Sequence, residues 1–226
     1  MAHRTRALLL LMATFATQLR AQAAPKSSGW IALFDGHSTA AWRGYNKPAL
    51  PAGWQVVAGA LTRVAEAGDI VSKDNFDNFE LELEWKIAKG SNSGIFFHVQ
   101  EDSALAMYMS GPEMQVLDNK VHQDGLEPRT SAGSNYALHA PVRDVTKPVG
   151  EWNKVRIIVN GPHVEHWLNG VKIVEYELWS DDWKQRVAES KFKAWPAYGI
   201  ARTGHIGLQD HGDWVAYRNI RIRPIN

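Results

Sequence analysis

Hydrophobic and polar residues alternate with a period of two along most of this chain. The clearest case is FELELEW (79–85), where Phe79, Leu81, Leu83 and Trp85 fall on one side and Glu80, Glu82 and Glu84 on the other, the pattern of a strand with one wet face. SGIFFHV (93–99) follows a Gly/Ser/Asn turn, then come PEMQVLDN (112–119), NKVRIIVN (153–160) and HVEHWLNGVKIVEY (163–176). Within the last of these, Asn169-Gly170 is the strongest hairpin-turn signal in the chain. GHIGLQDH (204–211) and WVAYRNIRIRP (214–224) repeat the theme. Short β runs bounded by Gly, Pro, Asn or Asp predict an all-β fold, a two-sheet antiparallel β-sandwich. Only SDDWKQRVAESKF (180–192), with Asp181 or Asp182 as its cap, reads as helical, so at most one or two short helices are expected. The loops 100–112 and 120–150 exceed what hairpins need, and loops of that size on a rigid sheet are where sites are built.

The N-terminus departs from this pattern. A basic start (MAHRTR), an apolar run (ALLLLMATFATQL) and the small-x-small signal Ala21-Gln22-Ala23 predict a secretory signal peptide over 1–23. The expected product is exported, periplasmic or secreted, and residues 24–226 form a single domain. The apolar run is too short for a good membrane span. With 25 basic and 24 acidic residues and no long charge run, nothing points to a nucleic-acid or membrane partner. The chain has no cysteine, so its core must hold without disulfides. Ten tryptophans among 226 residues carry more information, because indole stacks on the C–H face of sugars. Trp85, Trp152 and Trp167 sit in alternating strands and read as packing, whereas Trp179, Trp183 and Trp195 lie in the irregular segment and could serve packing or a ligand equally.

The candidate chemistry centres on GPEMQVLDN (111–119), which sets Glu113, Gln115 and Asp118 among apolar residues. Polar groups withdrawn from water must be paired or must line a wet cleft. In a regular strand Glu113 and Gln115 share a face that Asp118 does not. A β-bulge near Leu117 would turn Asp118 round to join them; otherwise it caps a turn with Asn119. GLQDHG (207–212) offers Gln209, Asp210 and His211 between two glycines that would let a ligand approach the backbone, and His98 lies on a neighbouring strand. His166 and His205 read as ordinary hydrogen-bonded residues. There is no H-x-x-x-H or H-E-x-x-H spacing, and the metal candidates are Glu113, Asp118, His122 and His211, a set that would favour calcium or manganese. No G-x-S-x-G, cysteine nucleophile or phosphate loop supports acyl or phosphoryl transfer.

Seven motifs in order, W-I-x-L-F-D-G (30–36), S-G-I-F-F-H-V (93–99), E-M-Q-V-L-D-N (113–119), G-E-W-N (150–153), H-W-L-N-G (166–170), S-K-F (190–192) and G-x-I-G-L-Q-D-H-G (204–212), resemble the 3-keto-disaccharide hydrolase domain family over Gly29 to Ile225. The resemblance implies a concanavalin-like jelly roll, related in shape to laminarinase-type glycosidases. It implies a substrate glycoside whose C3 hydroxyl has already become a ketone, supplied by a glycoside 3-oxidoreductase. A C3 ketone acidifies C2–H, so a base can remove that proton and expel the C1 substituent, and water then adds back. Mapped onto this chain, Glu113 or His211 is the C2 base, with Glu113 preferred and Asp118 a further catalytic candidate. Lys191 or a bound divalent metal polarises the ketone. His98, Gln115, Tyr136, Gln209 and Asp210 bind the sugar, and Trp195 stacks on it.

Two other readings stay open. EMQVLD shares its spacing with the E-x-D-x-x-E strand of sandwich glycosidases, but Gln115 replaces the central acid and Asp118 the last. Retaining hydrolysis wants two carboxyls roughly 5 Å apart, which ranks an ordinary glycosidase below keto-sugar cleavage. A lectin-like module that binds carbohydrate and catalyses nothing fits the aromatic and amide content equally well.

Overall fold

The computed structural model describes residue 1, residues 29–101 and residues 106–225. The expected leader, Met1 apart, lies outside them. Two antiparallel sheets pack face to face. In the first, β11 (Val171–Glu177), β10 (His163–Leu168), β9 (Asn153–Asn160), β6 (Phe79–Ile87), β13 (Val215–Pro224), β4 (Ala60–Arg63) and β3 (Trp54–Val57) lie side by side, with β1 (Ile31–Phe34) also paired to β13. The second orders β2 (Trp42–Gly44), β5 (Ile70–Phe76), β12 (Gly204–Leu208), β7 (Asn92–Val99) and β8 (Glu113–Leu117). This is the expected sandwich. The Asn169-Gly170 hairpin forms as predicted, with φ of 50° and 81°, the two positive values a tight right-twisted turn demands.

Alternation decides what faces what. Phe79, Leu81, Leu83 and Trp85 of β6 enter one core with Ile95, Phe97, Met114 and Val116 of the second sheet. Removing such apolar area from water drives the packing, at about 25 cal/mol per Å². The opposite face of β6 is a ladder of ion pairs: Glu80 to Arg156 and Arg223, Glu82 to Arg221 at 2.5 Å, and Glu84 to Arg218 at 2.7 Å. The outer face of the five-stranded sheet is different. Val71, Phe96, Val99 and Met107 make a second small apolar cluster there, with Tyr45 and Tyr108 against it.

Helix α1 (Asp181–Glu189) is capped by Ser180 rather than by Asp181 or Asp182, the Ser180 hydroxyl accepting from Trp183 N at 3.1 Å. The two aspartates occupy the first turn, where negative charge suits the helix dipole. Trp183 is packing: its ring stacks between Tyr176 at 5.6 Å and Tyr198 at 5.9 Å. Trp85 is core, while Trp152 and Trp167 carry the cations of Arg218 at 4.1 Å and Arg156 at 5.4 Å. Among the described residues no helix is long and apolar enough to cross a membrane.

The edge of β8 is covered, not open. The segment 133–136 pairs with it through Gly133 N to Gln115 O at 2.8 Å, Gln115 N to Ser134 O at 3.1 Å and Tyr136 N to Glu113 O at 3.0 Å. His166 anchors that segment from the other sheet, its Nδ1–H donating to Gly133 O at 3.1 Å. Burial pushes the His166 pKa down to about 4, so the ring is neutral and structural, as expected of it.

Candidate active site

The outer face of the five-stranded sheet can be read row by row. Arg43 pairs with Val71, Val71 with Gly207, Gly207 with Phe96 and Phe96 with Glu113, so these five residues cross the sheet in one line. The next row on the same face runs Asp69, Gln209, Gly94, Gln115, tied by Gln209 N to Gly94 O at 3.0 Å, Asp210 N to Asp69 Oδ1 at 2.9 Å and the Gly94–Gln115 pairing.

Glu113 leans from the first row into the second. A Cβ placed on Gly94 would sit 2.2 Å from Glu113 Oε1, so glycine is required there because the carboxyl occupies the space. Glu113 is 6% exposed, and its carboxyl makes no hydrogen bond or ion pair among the described residues. Burial raises its pKa to about 8, against the lowering pull of the Lys191 charge, with Asp69 and Asp124 adding to the rise. At neutral pH the residue expected as a base therefore holds a proton.

Lys191 is held in an aromatic bay. Its Nζ lies 4.3 Å from the centroid of the Tyr136 ring, 5.4 Å from Phe192 and 5.8 Å from Tyr108, and no carboxylate pairs with it within 4.0 Å among the described residues. Ser190 sets it there by capping the 3-10 turn Lys191–Ala194, accepting from Phe192 N at 3.1 Å. Trp195, on the same turn, meets Tyr108 edge-on at 5.1 Å. Tyr136 donates its hydroxyl to Asp124 Oδ2 at 3.1 Å, and Asp124 N donates to His122 Nδ1 at 3.1 Å. His211 is exposed, its ring 6.4 Å from that of His122. A recess of 340 Å³ opens beside Tyr136 and Lys191, and an apolar one of 410 Å³ runs past Trp195, Phe192 and Tyr198. Lys191 lies over Tyr136 and Tyr108, Trp195 meets Tyr108, and the Lys191 charge is felt at Glu113; Gln209 and Gln115 flank Gly94 in one row, and neither recess is lined by Glu113, Gln115, Gln209 or His211.

Several expectations are corrected. No bulge turns Asp118 inward, since β7 and β8 pair in unbroken register. Its carboxylate accepts from Gly90 N at 2.8 Å and Lys120 N at 3.1 Å, which makes it a turn cap. Asp210 is spent on structure, bonded to Arg63 at 2.7 Å and to the backbone N–H groups of Ala67, Gly68 and Gly212. These donors and Arg63 outweigh burial and lower its pKa. His98 has φ of 52°, packs edge-on against Phe79 and Phe97, and bonds Asp77 O at 2.8 Å; burial lowers its pKa, and it does not bind sugar. Gly207 leaves no room for a ligand, because Met107 Sδ fills the space 2.5 Å from where its Cβ would be. Gln115 Oε1 accepts from Val116 N at 3.0 Å, so part of its amide is tied to its own strand.

The divalent-metal expectation also fails on geometry. With Asp118 committed to a turn and His122 Nδ1 to Asp124 N, the set Glu113, Asp118, His122, His211 does not converge. Among the described residues the group of three that does is His163, Glu165 and Glu175 on the other sheet, where Lys172 already pairs with both glutamates.

Sequence reasoning missed Asp69, Asp124 and Tyr108. Asp69 sits in AGDIV, where a Gly-Asp before a strand signals only a turn, and its row across the sheet exists only once the strands have paired. Burial raises its pKa to about 6, with the Asp210 N–H opposing.

Comparison with known proteins places this geometry. Residues 29–223 match the family described as 3-keto-alpha-glucoside-1,2-lyase-like domain. A protein of Bacteroides thetaiotaomicron named 3-keto-disaccharide hydrolase is 37% identical, over 88% of this chain and 80% of its own. A crystal structure of a candidate glycosyl hydrolase from Parabacteroides distasonis superposes with a TM-score of 0.82 at 36% identity, covering 88% of this chain and 94% of that one. A second from the same organism gives 0.72 at 28% identity, with 87% and 99% covered.

Proposed function

The chain belongs to the 3-keto-alpha-glucoside-1,2-lyase-like domain family, and from that premise we propose that it hydrolyses 3-keto-disaccharides at the site built around Glu113. The observation that carries this reading is the buried Glu113 carboxyl with no bonded partner, its pKa near 8, beside the aromatic-held ammonium of Lys191. A proton-transfer group poised near the working pH is what general acid–base chemistry asks for. In this reading Lys191 donates to the C3 carbonyl oxygen and stabilises the enolate that forms when C2–H is lost. The C1–O bond then breaks, and water adds at C1 as a proton returns to C2. Gln209, whose Oε1 is buried without a partner, accepts from a sugar hydroxyl, and Trp195 with Tyr108 walls the leaving-group side. The leader sequence supports an exported place of action.

The test is a paired assay. The protein is expected to release the second sugar from a 3-keto-disaccharide and to leave the parent disaccharide intact, with or without a chelator. Equal cleavage of both would establish an ordinary glycosidase instead, and binding without cleavage of either would establish a lectin-like module.

A further inference from the structure

The reaction moves protons at two places on the substrate, and Glu113 is one carboxyl available to them. One proton must leave C2 while another reaches the oxygen departing from C1, and two different atoms of the substrate are involved. The outer face of the sheet holds a second carboxyl in the right relation to it. Asp69 heads the row Asp69, Gln209, Gly94, Gln115, and Glu113 Oε1 lies over Gly94 in that same row. Asp69 and Gly94 are two strand spacings apart, about 10 Å between backbones, and the Asp69 charge is felt at Glu113, where it adds to the rise in pKa. Between them on the same face lie Gly94, whose missing side chain leaves the space the Glu113 carboxyl takes, and Gln209, whose buried Oε1 has no partner. Asp69 is fixed by one oxygen only, accepting from Asp210 N at 2.9 Å, and its second oxygen has no partner among the described residues. The Arg63 guanidinium is taken by Asp210.

We propose that Asp69 is the second proton-transfer residue of the site, taking the C2 proton while Glu113 gives one to the oxygen leaving C1. This rests on the keto-sugar reading above. The electron pair of C2–H passes into the enolate on the C3 oxygen; that enolate then re-forms the C3 carbonyl and makes the C1=C2 bond as C1–O breaks, the C2 proton having gone to the Asp69 carboxylate and the Glu113 proton going to the departing oxygen. Water then adds at C1, giving a proton to Glu113, and Asp69 returns its proton to C2, so both carboxyls end as they began. The firmer hold of Glu113 on its proton suits that allocation.

The leaving group separates the two roles. Cleavage of a 4-nitrophenyl 3-keto-glucoside needs no proton at the departing oxygen, whereas cleavage of a 3-keto-disaccharide does. In first-turnover release of the leaving group, Asp69→Asn, which keeps the Asp210 contact, is expected to slow both substrates on the order of a hundredfold or more, and Glu113→Gln to slow the disaccharide by that much while affecting release of nitrophenolate far less, the hydration in which Glu113 takes a proton from water coming after it. Formate should restore part of the rate to Asp69→Ala, a rescue that a merely structural aspartate would not show. The proposal is overturned if folded Asp69→Asn, verified by its melting curve, keeps the wild-type rate on both, if formate restores nothing, or if Asp69→Asn spares the nitrophenyl substrate and Glu113→Gln does not. A wild-type protein inert on both keto-substrates would instead overturn the keto-sugar reading itself, and the roles with it.

Discussion

The two sheets of this protein each carry glutamates on an outward face, and the two sets are treated in opposite ways. On β6, Glu82 and Glu84 stand in solvent reach with Arg221 and Arg218 across the strand at 2.5 and 2.7 Å. Burial of Glu84 is outweighed by its bonds to Arg218 and Asn219, so its carboxyl is held below the usual range. On the five-stranded sheet, Glu113 is buried beside the 133–136 segment that pairs with its strand, within reach of the Lys191 charge, and no guanidinium reaches it. Its proton is retained to about pH 8. The same side chain on the same kind of strand is thus ion-paired on one face and a buried acid with no bonded partner on the other. What separates them is a partner cation and the depth of burial, neither of which is a property of the strand.

The largest test of that contrast is activity. Glu113→Gln should lower kcat/KM on a 3-keto-disaccharide on the order of 10²- to 10⁴-fold, while Glu82→Gln stays within about twofold; steady-state kinetics on both variants decides it, and equal effects would erase the distinction.

Stability should move the other way. The folded-state pKa of Glu113 lies above the unfolded value of 4.5, so the folded protein binds that proton more tightly, and ionising it costs stability as pH rises from 4.5 to about 8. Glu113→Gln removes the cost. The variant should be more stable than the wild type at pH 8 by a few kcal/mol, on the order of 3 or 4, and the difference should vanish near pH 4. Denaturant melts at the two pH values measure this, and a variant less stable at pH 8 would contradict the burial argument.

The smallest effect belongs to the exposed ladder. Arg221→Met should change stability by about 0.5 kcal/mol or less, because exposed pairs are screened and lose side-chain entropy. Melting at low and high salt should show whatever difference exists shrinking with salt.

Much of the fold was legible because its cause is local. FELELEW alternates, and both its buried and its paired faces follow; Asn169-Gly170 adopts the two positive φ values that its residues permit. Glu113 and Gln115 stood out for the same reason, as polar groups within an apolar strand, whereas Lys191 was singled out by the family resemblance and Trp195 fitted packing and a ligand equally. The sequence by itself therefore determined two antiparallel sheets, their core faces and the strand that carries Glu113. Tertiary structure alone decided which polar residues were already spoken for. Asp118 went to a turn, Asp210 to Arg63 and His98 to Asp77, because each met a donor or acceptor far away in the chain or across a turn. It also decided that Asp69, 44 positions before Glu113 in the sequence, would lie in the neighbouring row, toward which the Glu113 carboxyl leans. Strand order brought them together, and strand order is set by long-range pairing, which no local pattern records.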